Sequence, residues 1–338
     1  MIPESAEQPQ PAAWQHELRR AYTDGAQLLR ALGLAAGRSG LDPEPPDFPL
    51  RVPRGFVNRM RAGDRDDPLL LQVLPLAAER ASAAGYCRDP VGDSEAEVVP
   101  GLLHKYCGRV LLVVTGSCAI HCRYCFRRHF PYARSNPARD HWQAALSYIR
   151  ADPSLREVIL SGGDPLSLSD TRLASLSEAL AAIPHVRRLR IHSRIPIVLP
   201  ERVDQHLLQW LRRCRMQKVM VVHANHPREI DAGVVAALQR LRDAGVTLLN
   251  QSVLLHAVND ALATLVELSE VLMSAGVLPY YLHQLDPVQG AAHFQVAPET
   301  AAQLLDGLRR RLPGYLVPRL VVERRGEAYK LPLELVYT

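Results

Sequence analysis

VLLVVTGSCAIHCRYCFRRHF, residues 110–130, runs from an apolar segment directly into three cysteines. Val110–Thr115 lacks polar alternation, which suits a strand covered on both faces. Cys118, Cys122 and Cys125 follow with the spacing C-x3-C-x2-C. The same order, strand then polar loop, recurs downstream. β-Branched or Leu-rich runs begin near Glu157 (EVILS), Arg188 (RLRIHS), Val219 (VMVVHA), Thr247 (TLLNQS) and Leu278 (LPYYLH). Helix-like stretches at Asp170–Ala182, Val203–Arg213, Asp231–Ala244 and Ala261–Ala275 lie between them. After the first interval the strands recur about every 30 residues, the period of a βα unit. Six units predict an α/β fold over 101–338, a partial parallel (β/α)6 barrel. Residues 1–100 read as a separate, mainly helical region. There Ala12–Leu32 and Leu69–Ala83 look helical, Pro-rich connectors such as LDPEPPDFPLRVPRG (41–55) intervene, and no residue stands out chemically.

Composition narrows the classes. The chain has 338 residues, 47% of them hydrophobic, and a net charge of +5. No uncharged apolar run reaches the ~18 residues of a membrane span. MIPESAEQPQPAAWQHELRR (1–20) has no basic start leading into an apolar run, so a cytoplasmic protein is expected. In that reducing compartment clustered cysteines point to metal or redox chemistry. The separated Cys87, Cys107 and Cys214 are expected to be structural. Arginine runs at Arg187–Arg190 and Arg309–Arg311 read as solvated basic surface, so no nucleic-acid partner is expected, although an RNA-binding protein with a structural metal is the rival from another class.

Each predicted strand ends in polar residues. After the cysteine loop come SGGDP (161–165), His192–Arg194, HANHP (223–227), Asn250 and Gln251, and HQLD (283–286). In a parallel barrel the loops after the strands open on one face, so these six clusters converge on one mouth. Any one alone is an ordinary loop. Three cysteines leave two readings. A structural zinc site takes four ligands, with His121 or His129 as the fourth, though a first spacing of three is unusual for it. A four-iron cluster is normally held by four cysteines, and three leave one iron for an outside ligand.

C-x3-C-x2-C, with Tyr124 just before the last cysteine, resembles the radical S-adenosylmethionine superfamily. Its [4Fe-4S] cluster would sit on Cys118, Cys122 and Cys125 beside Tyr124. SGGDP resembles the superfamily's glycine-rich segment, which implies that Gly162, Gly163 and Asp164 meet the amino group of the methionine moiety. VPGLLHKYCGRVLLVVTGSC (99–118), HANHPREI (223–230), LLNQSVLLHAVND (248–260) and QLDPVQGAAHF (284–294) are similar to the lysine 2,3-aminomutase family, over roughly 95–332. That family combines the cluster, S-adenosylmethionine and pyridoxal 5′-phosphate. The resemblance implies that Lys330, in RRGEAYKLPLEL (324–335), carries the pyridoxal and acts catalytically. It implies that Lys105, Tyr106 and Arg109 hold the phosphate, with Lys105 replacing the usual arginine. His223 and Gln251 match positions near S-adenosylmethionine. Arg127 suits the carboxylate of an amino-acid substrate. Asp286 and Glu323 match the acids that receive the ε-ammonium of lysine, and Glu323 stands where aspartate is commoner.

The resemblance further implies an isomerase that converts free L-lysine to (R)-β-lysine, fed by an external electron donor. Eight residues, none of them cysteine, follow Lys330. This and FPLRVPRGFVNRMRAGDRDDPLLLQVLP (48–75) resemble the short bacterial branch. Its product is attached to elongation factor P by a lysyl-tRNA-synthetase-like ligase. A lysine aminomutase of general metabolism and a pyridoxal-free enzyme modifying a peptide are the alternatives. Assembly into a homo-oligomer is left open.

Overall fold

A computed structural model describes residues 12–35, 48–135 and 142–336. Residues 1–11, the connector at 41–47 and the last two residues after Lys330 lie outside the described residues, and with them part of the leader, connector and tail readings. Ten strands form one sheet in sequence order. They are β1 (Glu97–Val99), β2 (Leu102–Tyr106), β3 (Arg109–Thr115), β4 (Glu157–Gly162), β5 (Arg188–Ser193), β6 (Gln217–Val222), β7 (Val246–Val253), β8 (Leu278–His283), β9 (Arg319–Val322) and β10 (Leu331–Pro332). From β3 to β9 every neighbouring pair is parallel. β1, β2 and β10 add antiparallel edges.

The predicted strands and connecting helices are all present, and the unit is longer than expected. Helix Gln143–Ala151 fills the first interval, and helix Pro298–Arg311 leads into a seventh parallel strand, β9. Three of the connecting helices start where a carboxylate or hydroxyl accepts a first-turn amide. Ser169 accepts from Arg172, Asp204 from Leu207 and Asp231 from Val234. The helices bury one stripe each, such as Val234, Ala237, Leu238 and Leu241, against the sheet.

Residues of β2, β3, β4, β5, β7, β8 and β9 line a single cavity of about 1090 Å³. Laid flat at ~4.8 Å per strand, β2 to β9 would span about 34 Å, far wider than such a cavity. The sheet therefore curls around it as an open, partial barrel.

The amino-terminal part is less helical than its sequence suggests. The first stretch splits into Ala13–Arg19 and Gly25–Ala31, with Tyr22 pairing to Val52 between them and Asp24 capping the second helix. The second stretch keeps only Pro68–Leu71 and a turn at Ala77–Arg80, because Pro75 cannot continue a helix. Trp14, Leu28, Phe56 and Leu69 share one apolar core with Leu112, Leu160, Leu189 and Leu248 of the sheet. Among the described residues no helix is long and apolar enough to cross a membrane.

Candidate active site

All the site residues expected from the sequence line the central cavity, from the three cysteines to Lys330. The cysteine loop leaves the end of β3 and is held from outside. Arg123, fully buried, directs Nε and Nη2 at Glu79 (2.8 and 2.6 Å) and Nη1 at the Phe48 carbonyl (2.8 Å). Arg128 also donates to Glu79 (2.6 Å). Burial pushes the Glu79 carboxyl up, yet the two guanidiniums hold it below the ordinary range. His121 Nδ1 is 2.8 Å from the Pro49 carbonyl, so that nitrogen is engaged by the main chain. His129 Nε2 lies 3.2 Å from the Gln289 carbonyl.

The thiols share a low-dielectric space. Burial, with the Asp164 carboxylate and the other two cysteines added, raises Cys118 well above its ordinary value, and burial with Cys122 raises Cys125 to about 11. Among the described residues no three His, Cys, Asp or Glu side chains are arranged to hold a single metal ion. Arg194 donates Nη1 to Cys122 Sγ and Nη2 to Gln72 Oε1 (2.7 Å) and Glu229 Oε2 (2.9 Å). Asn225 completes this buried network through Gln72 and the Tyr124 hydroxyl (3.0 and 2.7 Å).

The glycine segment ends β4 against the cysteine loop. Gly162 has φ +119°, a conformation side chains avoid. A Cβ on Gly163 would stand 2.4 Å from the Ser117 carbonyl oxygen. Asp164 turns its carboxylate to its own chain: Oδ1 accepts from Ser193 Oγ and the Leu166 amide, Oδ2 from the amides of Arg194 and Ile195. Burial outweighs these donors and pushes the carboxyl up to about 6.

Farther along the wall, Gln251 Nε2 lies 3.2 Å from His223 Nε2 across β6 and β7. Burial lowers His223 and His283 to about 3, so both imidazoles are neutral. Arg109 stacks its guanidinium 4.6 Å from the Tyr106 ring centre. Lys330 donates to Glu323 Oε2, while Lys105 Nζ is 3.1 Å from Oε1. Burial raises the Glu323 carboxyl, but these two ammoniums hold it well below the usual range. Asp286 behaves oppositely. Burial, with the Glu323 charge added, lifts it to about 7 against the pull of Lys330 and Lys105. Arg127 is buried, with Nε 2.6 Å from Asp93 Oδ2 and Nη1 2.9 Å from Ser161 Oγ.

Several residues here escaped the sequence reading: Gln72, Glu79 and Asp93 from the first hundred positions, and Glu229 and Asn225 inside HANHPREI. Arg123 and Arg128, which the sequence did not single out, have buried side chains paired with Glu79. Spacing carries no signal for the contacts that build the site: Asp93 meets Arg127 across 34 residues, Glu79 meets Arg123 across 44 and Gln72 meets Glu229 across 157.

No family model matches the chain. It is 50% identical to the L-lysine 2,3-aminomutase of Escherichia coli over 328 residues, covering 95% of this chain and 94% of that protein. The L-lysine 2,3-aminomutase of Haemophilus influenzae is 45% identical, covering 94% of both. That of Clostridium subterminale is 39% identical over 82% of this chain and 67% of its own length.

Proposed function

The chain belongs to the L-lysine 2,3-aminomutase family, and from that premise we propose that it isomerises free L-lysine to β-lysine with a [4Fe-4S] cluster, S-adenosylmethionine and pyridoxal 5′-phosphate. The observation that carries this reading is one cavity lined by three thiols, a lysine, a buried arginine and two acids of opposite protonation tendency. The residues fit the three groups. The three thiols line one cavity and are close enough to perturb one another, which suits a shared cluster. A volume near 1090 Å³ stands at the upper edge of single-ligand pockets, so there is room for cofactors and substrate together. Arg109, Lys105 and Lys330 give the anionic pyridoxal phosphate a cationic wall.

When bound, the cluster and S-adenosylmethionine would supply, with an electron from an external donor, the radical chemistry for hydrogen-atom abstraction, and pyridoxal phosphate would supply the conjugated system for amino-group migration. The protein's own residues do the rest. Cys118, Cys122 and Cys125 hold the cluster. Gly162 and Gly163, where a side chain would collide with the Thr115 and Ser117 carbonyls, bring the end of β4 against the cysteine loop beside S-adenosylmethionine, and His223, Gln251 and Tyr124 flank it. Lys330 tethers the pyridoxal, and Tyr106 and Arg109 face its phosphate. Arg127 holds the substrate carboxylate, a charge-assisted contact that fixes orientation. Glu323 and Asp286 receive the ε-ammonium, and Asp286 gives up its proton when that cation arrives. Val110, Leu111, Ile159 and Leu320 make the apolar wall that keeps water from a reactive radical.

The test is anaerobic reconstitution with iron, sulfide and pyridoxal phosphate, followed by incubation with lysine, arginine or glutamate under reducing conditions. β-Lysine that needs both S-adenosylmethionine and reductant is the expected product, with arginine and glutamate unchanged. Turnover of glutamate in place of lysine contradicts the assignment. We further propose that the enzyme works in the cytoplasm and that its β-lysine reaches elongation factor P through a lysyl-tRNA-synthetase-like ligase. The mass of elongation factor P in a strain lacking this chain should fall by one β-lysyl group, and an unchanged mass speaks against that destination.

A further inference from the structure

The loop Asp89–Glu95 enters the cavity from the amino-terminal region, which otherwise looked devoid of chemistry. It is strapped in place. Asp89 accepts from the Asp93 and Ser94 amides at 2.9 and 3.0 Å. Gly92 sits at φ +68°, with the Arg325 side chain 2.8 Å from where a Cβ would stand, and Arg325 pairs with Glu95 at 2.6 Å. This construction delivers Asp93, 2% exposed, between two cations. Oδ2 takes the Arg127 Nε–H at 2.6 Å. Oδ1 lies 2.5 Å from Lys105 Nζ, an ion pair with poor hydrogen-bond alignment. Lys105 goes on to the Val91 carbonyl (2.8 Å) and to Glu323. One carboxylate thus begins both arms of the site: Asp93 to Arg127 to Ser161, and Asp93 to Lys105 to Glu323.

The geometry has a direct consequence for a bound amino acid. With Nε committed to Asp93 and Nη1 to Ser161, Arg127 Nη2 makes no hydrogen bond among the described residues. A guanidinium gripped along its Nε edge keeps its plane and presents the opposite end to a ligand carboxylate. Without that grip a buried arginine is left with an uncompensated charge and a free rotor. We propose that Asp93 is a positioning residue: its buried carboxylate sets the orientation of Arg127 and so fixes the carboxylate end of the substrate site, while Glu323 at the ammonium end is held by Lys330 as well as by Lys105. This rests on the reading of the cavity as a lysine aminomutase site. Asp93 touches neither substrate nor the reacting atoms in this account.

The experiment measures binding without turnover. Holoenzyme is titrated with lysine and with lysinamide, which lacks the carboxylate, in the absence of S-adenosylmethionine and reductant, following the cofactor's absorbance. Asp93→Asn should weaken lysine about ten- to a hundredfold while moving lysinamide less than about twofold, and Asp93→Glu should restore part of the loss. A variant that loses both ligands equally assigns Asp93 a merely structural part and overturns the proposal, as does one that binds both like wild type. If Asp93→Asn yields no folded holoenzyme, Asp93→Glu carries the comparison, and the same lysine-selective loss is required of it. Failure of the underlying reading looks different: wild-type holoenzyme then shows no absorbance response to lysine at all, and the proposal falls with it.

Discussion

Replacing Asp286 with asparagine keeps the shape of the side chain and deletes its charge, which isolates the electrostatic part of substrate recognition. The structure sets the magnitude. Raising a carboxyl from 3.8 to about 7 corresponds to roughly 4 kcal/mol of disfavour for the charged form. An ammonium ~4 Å away at an effective dielectric of ~20 returns about 4 kcal/mol. The lysine side chain therefore brings Asp286 back to its charged state, and asparagine forfeits that gain. Glu323 remains as a second acid, so the expected loss in kcat/KM for lysine is about a hundredfold, near 2.7 kcal/mol. The pH dependence follows with a definite sign. Below about 7 the free Asp286 carboxyl is protonated and neutral, so its attraction for the ammonium is present above that pH and is lost as pH falls through it. Wild-type kcat/KM for lysine should drop about tenfold per pH unit in the acid limb, relative to norleucine, whose side chain is uncharged. Asp286→Asn should remove that difference. Steady-state β-amino-acid assays from pH 5.5 to 8 (on the order of one decade of rate per unit) read both effects. If Asp286→Asn converts lysine within twofold of wild type (about 0.4 kcal/mol), or wild type uses norleucine as well as lysine, the acid pair does not read the ammonium.

Alanine at Cys118, Cys122 or Cys125 should abolish iron–sulfur absorbance and S-adenosylmethionine cleavage while leaving bound pyridoxal, and a variant that still cleaves would remove the cluster assignment. Lys330→Ala should assemble iron and sulfide normally but lose the borohydride-reducible pyridoxal adduct; peptide mapping that finds the label on another lysine identifies a different tether. Gly163→Ala puts a methyl 2.4 Å from the Ser117 carbonyl, so it should cost about 1–3 kcal/mol in thermal unfolding and lower iron content per chain. A Gly163→Ala protein with wild-type melting and iron shows that the cysteine loop yields freely.

The sequence revealed the parallel core because its strands are buried on both faces and read as unbroken apolar runs; β4 is buried along its whole length. The helix boundaries were legible through Ser169, Asp204 and Asp231. The antiparallel edge strands were harder, since β1 and β10 are only three and two residues long. Locating the cysteine loop was a matter of local spacing. Its cage was invisible, because Arg123 meets Glu79 and Arg194 meets Gln72 only after the chain has folded across 44 and 122 residues. Asp93 shows the same limit: nothing in VGDSE distinguishes a buried hub from a solvated loop. Lys105 was expected beside a phosphate; that its ammonium also meets the Val91 carbonyl, Asp93 and Glu323 was not legible, because Glu323 lies 218 residues away in the chain.

The most direct test of the central claim follows the nitrogen. Lysine labelled with ¹⁵N at the α-amino group is incubated anaerobically with reconstituted protein, S-adenosylmethionine, pyridoxal phosphate and reductant, and the product is read by NMR. β-Lysine with the label on the C3 amino group and an unlabelled ε-nitrogen is expected. Label that stays on C2 or is lost to solvent, or product that forms without S-adenosylmethionine, contradicts that claim.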